Sequence, residues 1–138
     1  MTSKNNAVAE ITSFIDEWEN DDQLMKKWFR FFFNVVREME NVELQFTSRP
    51  GVSYSMRPKH KNQKDRDLFA IIDVIDDTDR WLSVCFYEDM ITDPEGRGEL
   101  IPGGLAGSDG YCFDMFEDDE DLGRYLADRL GEALGAAA

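Results

Sequence analysis

One histidine, two cysteines and 29 Asp and Glu residues are the side chains with which this chain could do acid–base, metal or thiol chemistry. A lone His60 excludes a multi-histidine metal site. Flanked by Lys59 and Lys61, it reads as a solvated loop residue, with a Ser–His pairing left open. Cys85 and Cys112 form no CxxC pair, and with no export signal in view they are expected to be cytosolic thiols rather than a structural disulfide. The run Glu117-Asp118-Asp119-Glu120-Asp121 lacks the DxDxDG spacing of a calcium loop. It suits the first turn of a helix, where carboxylates offset the helix dipole and Asp118 can cap. The glycine-rich stretch 103–110 matches neither GxxxxGK[ST] nor GxGxxG, and it precedes a strand where a phosphate loop would open a helix. No carboxylate has a Lys two positions after it, so the D…ExK pattern of many metal-dependent nucleases is absent.

Two weaker constellations remain. The first is a basic island, Arg49, Arg57, Lys59, His60, Lys61, Lys64 and Arg66, which could anchor an anionic partner or simply guard a sheet edge against aggregation. It stands out because the formal net charge is −14 overall, but +5 over residues 49–66 and −15 over 67–138. An acidic field of that size repels nucleic-acid phosphate and favours solubility. The second is a sheet face carrying Asp73, Trp81, Cys85, Tyr87, Cys112 and Asp114, with Ser53, Ser55, Phe69, Ile71, Ser83 and Phe116 beside them. That mixture is too apolar for a solvated face and too polar for a second core, which suits a binding surface unless residues 89–110 fold back over it.

The elements that must position these residues follow from periodicity. Asn5 or Asn6 can cap a first helix over about 7–19, with Val8, Ile11, Phe14, Ile15 and Trp18 at helical spacing. Asn20-Asp21-Asp22 breaks the pattern and offers a cap for a second helix over 23–39. Met25, Trp28, Phe29, Phe32, Val35, Val36 and Met39 form its stripe, and Leu24, Phe31 and Phe33 widen the apolar arc to about 200°, so it needs cover from a sheet and from another helix or a partner chain. Val42-Leu44-Phe46 alternates as a strand. A hairpin loop at Arg49-Pro50-Gly51 then pairs Phe46 with Tyr54 and Leu44 with Met56. Residues 57–67 read as a loop. Strands 68–75 and 81–88 follow, with Ile75 opposite Trp81, Val74 opposite Leu82 and Ile72 opposite Val84. A long connection over 89–110, a last strand over 111–116 and a final helix striped by Leu122, Tyr125, Leu126, Leu130, Ala133 and Leu134 complete the chain.

These elements predict one α+β domain over 1–138, an antiparallel sheet of about five strands with two N-terminal helices and one C-terminal helix packed on one face. No apolar run approaches the ~20 residues that span a bilayer, and the N-terminal residues offer no signal-peptide core. A cytoplasmic setting is the expectation. Val52-Ser53-Tyr54-Ser55-Met56-Arg57-Pro58, with Asp67-Leu68-Phe69-Ala70 and the Trp81 strand, resembles an uncharacterised bacterial family of domains of unknown function with an α-β-β-β-β-α core. It is also similar, more loosely, to YdhG-like proteins, some described as frataxin-like iron chaperones, although Ser55 stands where their Tyr-Gly-Met-Pro turn has Gly and Arg57 precedes the Pro. The resemblance covers about residues 24–135 and implies the fold, with no catalytic residue carried across.

The functional expectation is a non-enzymatic binding or regulatory module acting through a protein partner, as a monomer or homodimer, with no cofactor implied. Small size and acidity also suit an inhibitor of a basic partner. The alternatives are iron handling of the frataxin-like kind and a small-ligand enzyme on the open sheet face.

Overall fold

The computed structural model describes residues 4–138, so the first three residues of the N-terminal stretch read for a signal peptide lie outside the described residues. Three helices and a six-stranded antiparallel sheet follow in the order α1 (Lys4–Glu17), α2 (Met25–Arg37), β1 (Val42–Arg49), β2 (Ser53–His60), β3 (Ile71–Ile75), β4 (Trp81–Tyr87), β5 (Glu99–Leu105), β6 (Ser108–Met115) and α3 (Glu120–Ala137). The spatial order is β1-β2-β3-β4-β6-β5.

The core lies between the sheet and the helices. Leu44, Met56, Ile72, Val84 and Phe113 point into it from successive strands, and all are buried. Opposite them, α2 contributes Met25, Trp28, Phe29, Phe32, Phe33 and Val36. This helix touches α1, α3 and strands β1, β3 and β4, which answers the question its wide apolar arc posed. The sheet and the neighbouring helices supply the cover. Each such side chain, removed from water, contributes roughly 1.5–3 kcal/mol, so the helices are held mainly by this burial.

Helix boundaries differ from expectation in instructive ways. α1 begins at Lys4, so Asn5 and Asn6 lie inside it rather than capping it. α2 starts after Leu24, which takes a left-handed conformation (φ 64°) and makes no side-chain cap. Asp21, three residues earlier, accepts from the Lys26 backbone N–H at 2.6 Å and does that work instead. At α3 the cap is Asp119, which accepts from Leu122 N–H at 3.0 Å. Asp118 is drawn away by the Trp28 indole N–H at 2.7 Å and Lys27 Nζ at 3.1 Å.

Three sheet expectations need correction. β1 and β2 pair with Phe46 opposite Met56 and Leu44 opposite Pro58, two residues from the expected register. Because side chains alternate with period two, an even slip leaves every apolar residue on the same face. The connecting loop is still three residues long, Pro50-Gly51-Val52, with Gly51 at φ 82°. Second, β2 continues to His60, so the start of the expected 57–67 loop is strand. Third, the expected connection 89–110 contains β5, which forms a hairpin with β6 through Ala106-Gly107 and makes the sixth strand. The register expected for β3 and β4 is observed, from Ile75 opposite Trp81 to Ile71 opposite Cys85.

Candidate functional site

All three helices pack on one side of the sheet, and strand register fixes what stands on the other. Three rows of side chains cross that open face. The first holds Arg49, Ser53, Ile75 and Trp81, the second Thr47, Ser55, Asp73, Ser83 and Asp114, and the third Gln45, Arg57 and then Ile71, Cys85, Cys112 and Glu99. Segment 89–98 does not cover them, because it is tied to α3: Thr92 bonds Glu132, Tyr125 Oη donates to Asp93, and Glu95 N–H donates to Tyr125 Oη at 3.2 Å. Asp93 also accepts from the N–H groups of Arg97 and Gly98, closing the loop on itself.

The two surfaces expected separately thus partly merge. Arg49, Arg57 and Lys59 share the face with Asp73, and Arg66 reaches one end of it, whereas His60, Lys61 and Lys64 lie off it. His60 is only 6% exposed, with Nδ1 accepting from Asn62 N–H at 3.0 Å; it is a buried strand-end residue, not the solvated one expected. Lys61 and Lys64 stay exposed in the loop. Arg66 is occupied, stacked 3.8 Å from the centre of the Tyr87 ring and donating twice to Asp89 at 2.7 and 3.1 Å. That stack buries Tyr87 at one end of the face, and Phe69, expected on the open face, is fully buried in the core.

Asp73 is the unusual group. Its Oδ1 is buried and has no hydrogen-bond partner. Burial raises its pKa above the ordinary carboxylate value, with Ser55, Arg57 and Arg49 opposing that shift. Ser55 is nearly closed over (1% exposed) beneath Arg57, whose Nε donates to its hydroxyl at 3.0 Å. Two strands away, roughly 10 Å given ordinary strand spacing, Asp114 is also raised, first by burial and further by the nearby charge of Glu99, while Ser83 opposes. At the end of the face away from Arg66, Trp81 stacks on Phe116 with ring centres 4.8 Å apart, and Phe116 is 58% exposed.

The cysteines overturn an expectation. Cys85 and Cys112 stand directly opposite each other on β4 and β6, with Cα atoms 4.2 Å apart, and they are joined in a disulfide. Neither is the free thiol that the lack of a CxxC pair and of an export signal suggested.

The arrangement offers a broad polar platform with a buried acceptor lacking a donor beneath its middle and, at its end, a half-buried Trp81 stacked on an exposed Phe116. Two clefts among the described residues lie away from this platform. One of about 280 Å³ opens between the α1–α2 turn and the β3–β4 turn, lined by Trp18, Asp21, Asp77 and Arg80. A second, about 660 Å³, lies between α1 and the β1–β2 hairpin, lined by Phe14, Phe46, Tyr54 and Arg80. Arg80 fills the space between them, with its guanidinium 4.9–5.3 Å from the ring centres of Phe14, Trp18 and Tyr54 and an ion pair to Asp76 at 3.0 Å. Among the described residues, no group of three or more His, Cys, Asp or Glu side chains is placed to hold a metal ion. No helix among them is long and apolar enough to cross a membrane.

Glu99 is the site residue that sequence reasoning missed, because its strand carries no alternation to place it. Comparison with known proteins adds nothing to this picture: no family model, no curated protein and no solved structure matches the chain.

Proposed function

We propose that this protein is a non-enzymatic binding module that recognises a protein partner through the open face of its sheet. The observation that carries the reading is the Trp81–Phe116 stack, with Phe116 58% exposed, on the same uncovered face as the unpartnered Asp73 oxygen. Desolvated aromatics ringed by polar groups are the usual anchors of protein interfaces. A small-molecule enzyme would instead gather its polar groups in a concavity, and neither cleft described above contains Asp73, Asp114 or the disulfide. The iron-handling reading has no donor cluster among the described residues to build on.

A disulfide also favours an oxidising compartment over the cytoplasm. Alkylation of thiols in intact source cells decides this: complete protection of Cys85 and Cys112 places the bonded form in the cell, and full modification returns the protein to a reducing setting.

The test of the docking reading is a paired bait experiment. Wild-type protein and the Phe116→Ser variant, matched for circular dichroism and unfolding midpoint, are used to capture partners from extract of the source cells. A partner held by the wild type and lost from the variant supports the reading. Equal capture by both sinks it.

A further inference from the structure

Resting on that docking reading, we propose that the partner surface is basic, and that an Arg or Lys side chain of the partner enters between Asp73 and Asp114 over Ser83, beside the Trp81–Phe116 stack. Three observations converge on this chemistry.

The first is charge distribution. The face is unevenly charged: Arg49, Arg57 and Lys59, with Glu43 opposite Lys59, lie on the β1–β2 half, while Asp73, Asp114 and Glu99 lie across β3, β6 and β5, where Arg66 at the Tyr87 end is already paired with Asp89. The aromatic stack belongs to the acidic half, about 7 Å along the strands from Ser83 and Asp114 at ordinary strand rise. A second copy of this chain would bring its own −14 charge to the contact, and that repulsion disfavours self-association over capture of a cationic surface.

The second is the unmet acceptor. A buried carboxylate oxygen without a donor is costly, and the carboxylate can only accept when ionised. Ser55, Arg57 and Arg49 all act on Asp73, yet Oδ1 remains unpaired. Oδ1 is closed off from solvent as the side chain stands, so a guanidinium or ammonium docking over Asp73 meets it by a turn of the carboxylate, in a charge-assisted bond.

The third is that the molecule builds this arrangement repeatedly within itself, also where Arg97 and Arg129 lie over Tyr125 and pair with Asp119 and Glu132. Arg66 stacks on Tyr87 and pairs with Asp89. Arg80 sits among Phe14, Trp18 and Tyr54 and pairs with Asp76. All combine aromatic rings, a carboxylate and an Arg, a combination in which guanidinium stacking and ion pairing reinforce each other. On the acidic half of the open face the rings and carboxylates are present, and the cation is the part left for a partner to bring.

The probe is a fluorescein-labelled nona-arginine peptide, titrated by anisotropy at about 0.15 M salt so that long-range fields are screened beyond ~8 Å. The Asp73→Asn, Glu99→Gln, Asp114→Asn triple variant is compared with an Asp16→Asn, Glu38→Gln, Glu40→Gln control, whose sites are exposed acids away from the face, so both variants change net charge by the same amount. Amide shift changes in labelled protein locate the peptide. The expected result is a Kd about tenfold weaker for the face variant, roughly 1.4 kcal/mol. The control should stay within about twofold of wild type, and shifts should centre on residues 83–85 and 112–116. Equal weakening by both variants, or shifts centred on the acidic start of α3, overturns the basic-partner proposal. The docking reading is judged separately by the Phe116 bait comparison, so the two can fail independently.

Discussion

Gly123 and Gly131 lie in the same helix, and replacing each with Ala is expected to move stability in opposite directions. In a helix interior Ala is favoured over Gly by about 0.8–1 kcal/mol, because Gly surrenders more backbone freedom on folding. At Gly131 nothing lies within 4 Å of the position a new Cβ would take, so G131A receives that gain and stabilises by about 1 kcal/mol. At Gly123 a Cβ would come under 3.0 Å from three atoms of the Trp28 six-membered ring. Trp28 cannot easily retreat: it is 4% exposed, it packs edge-on against Phe31 at 5.2 Å, and its indole N–H is bound to Asp118. Overpacking of this kind costs typically 1–3 kcal/mol. Less the same propensity gain, G123A is left destabilised by about 0–2 kcal/mol, and the gap between the two variants equals the overpacking cost. Urea unfolding followed by circular dichroism measures both, provided the slope m is unchanged. If G123A gains stability to the same degree as G131A, the close approach of α3 to α2 at Trp28 is wrong.

Other expectations follow from particular groups. Arg80→Met keeps an unbranched apolar stem but removes the guanidinium shared by three rings and Asp76; a loss of about 1–3 kcal/mol in urea is expected, and an unchanged midpoint would show the cage to be incidental. Because the folded-state pKa of Asp73 is raised, the native protein binds more protons than the unfolded chain above the ordinary Asp value of 3.8. Its contribution to stability therefore falls as pH rises from there through the raised pKa. Asp73→Asn should remove that fall and be no less stable than wild type at neutral pH; a steeper pH profile in the variant contradicts it. Reducing the Cys85–Cys112 bridge, which spans 27 residues, should cost roughly 3–4 kcal/mol by chain-entropy reasoning while leaving circular dichroism unchanged. Loss of the sheet signal on reduction would show that β4–β6 pairing depends on the bond.

How much of this was legible beforehand depended on the range of the interactions involved. The α2 stripe and the β3–β4 register could be read directly, since both rest on local periodicity and a short turn that allows few pairings. The β1–β2 register slipped by two because the faces match equally well either way. Placement of Asp73, Trp81 and Asp114 on one uncovered face also followed from alternation. β5 did not: Pro102, Gly103 and Gly104 erase its pattern, and the segment becomes a strand because β6 offers an edge to pair with. His60 was misplaced because its charged neighbours suggested solvent, whereas the continuation of β2 turns its ring inward.

Sequence alone determined the fold class, the side of the sheet that the residues of β1, β3, β4 and the first part of β2 face, and a charge that turns acidic after residue 66. Only the tertiary structure decided that two cysteines 27 residues apart meet as a cross-strand disulfide, that segment 89–98 is tied to α3 and leaves the sheet bare, and that Asp73 keeps an oxygen without a donor. Those three outcomes depend on which distant strands become neighbours. Pairing between distant strands is set by burial of the whole core, which no local window of residues contains.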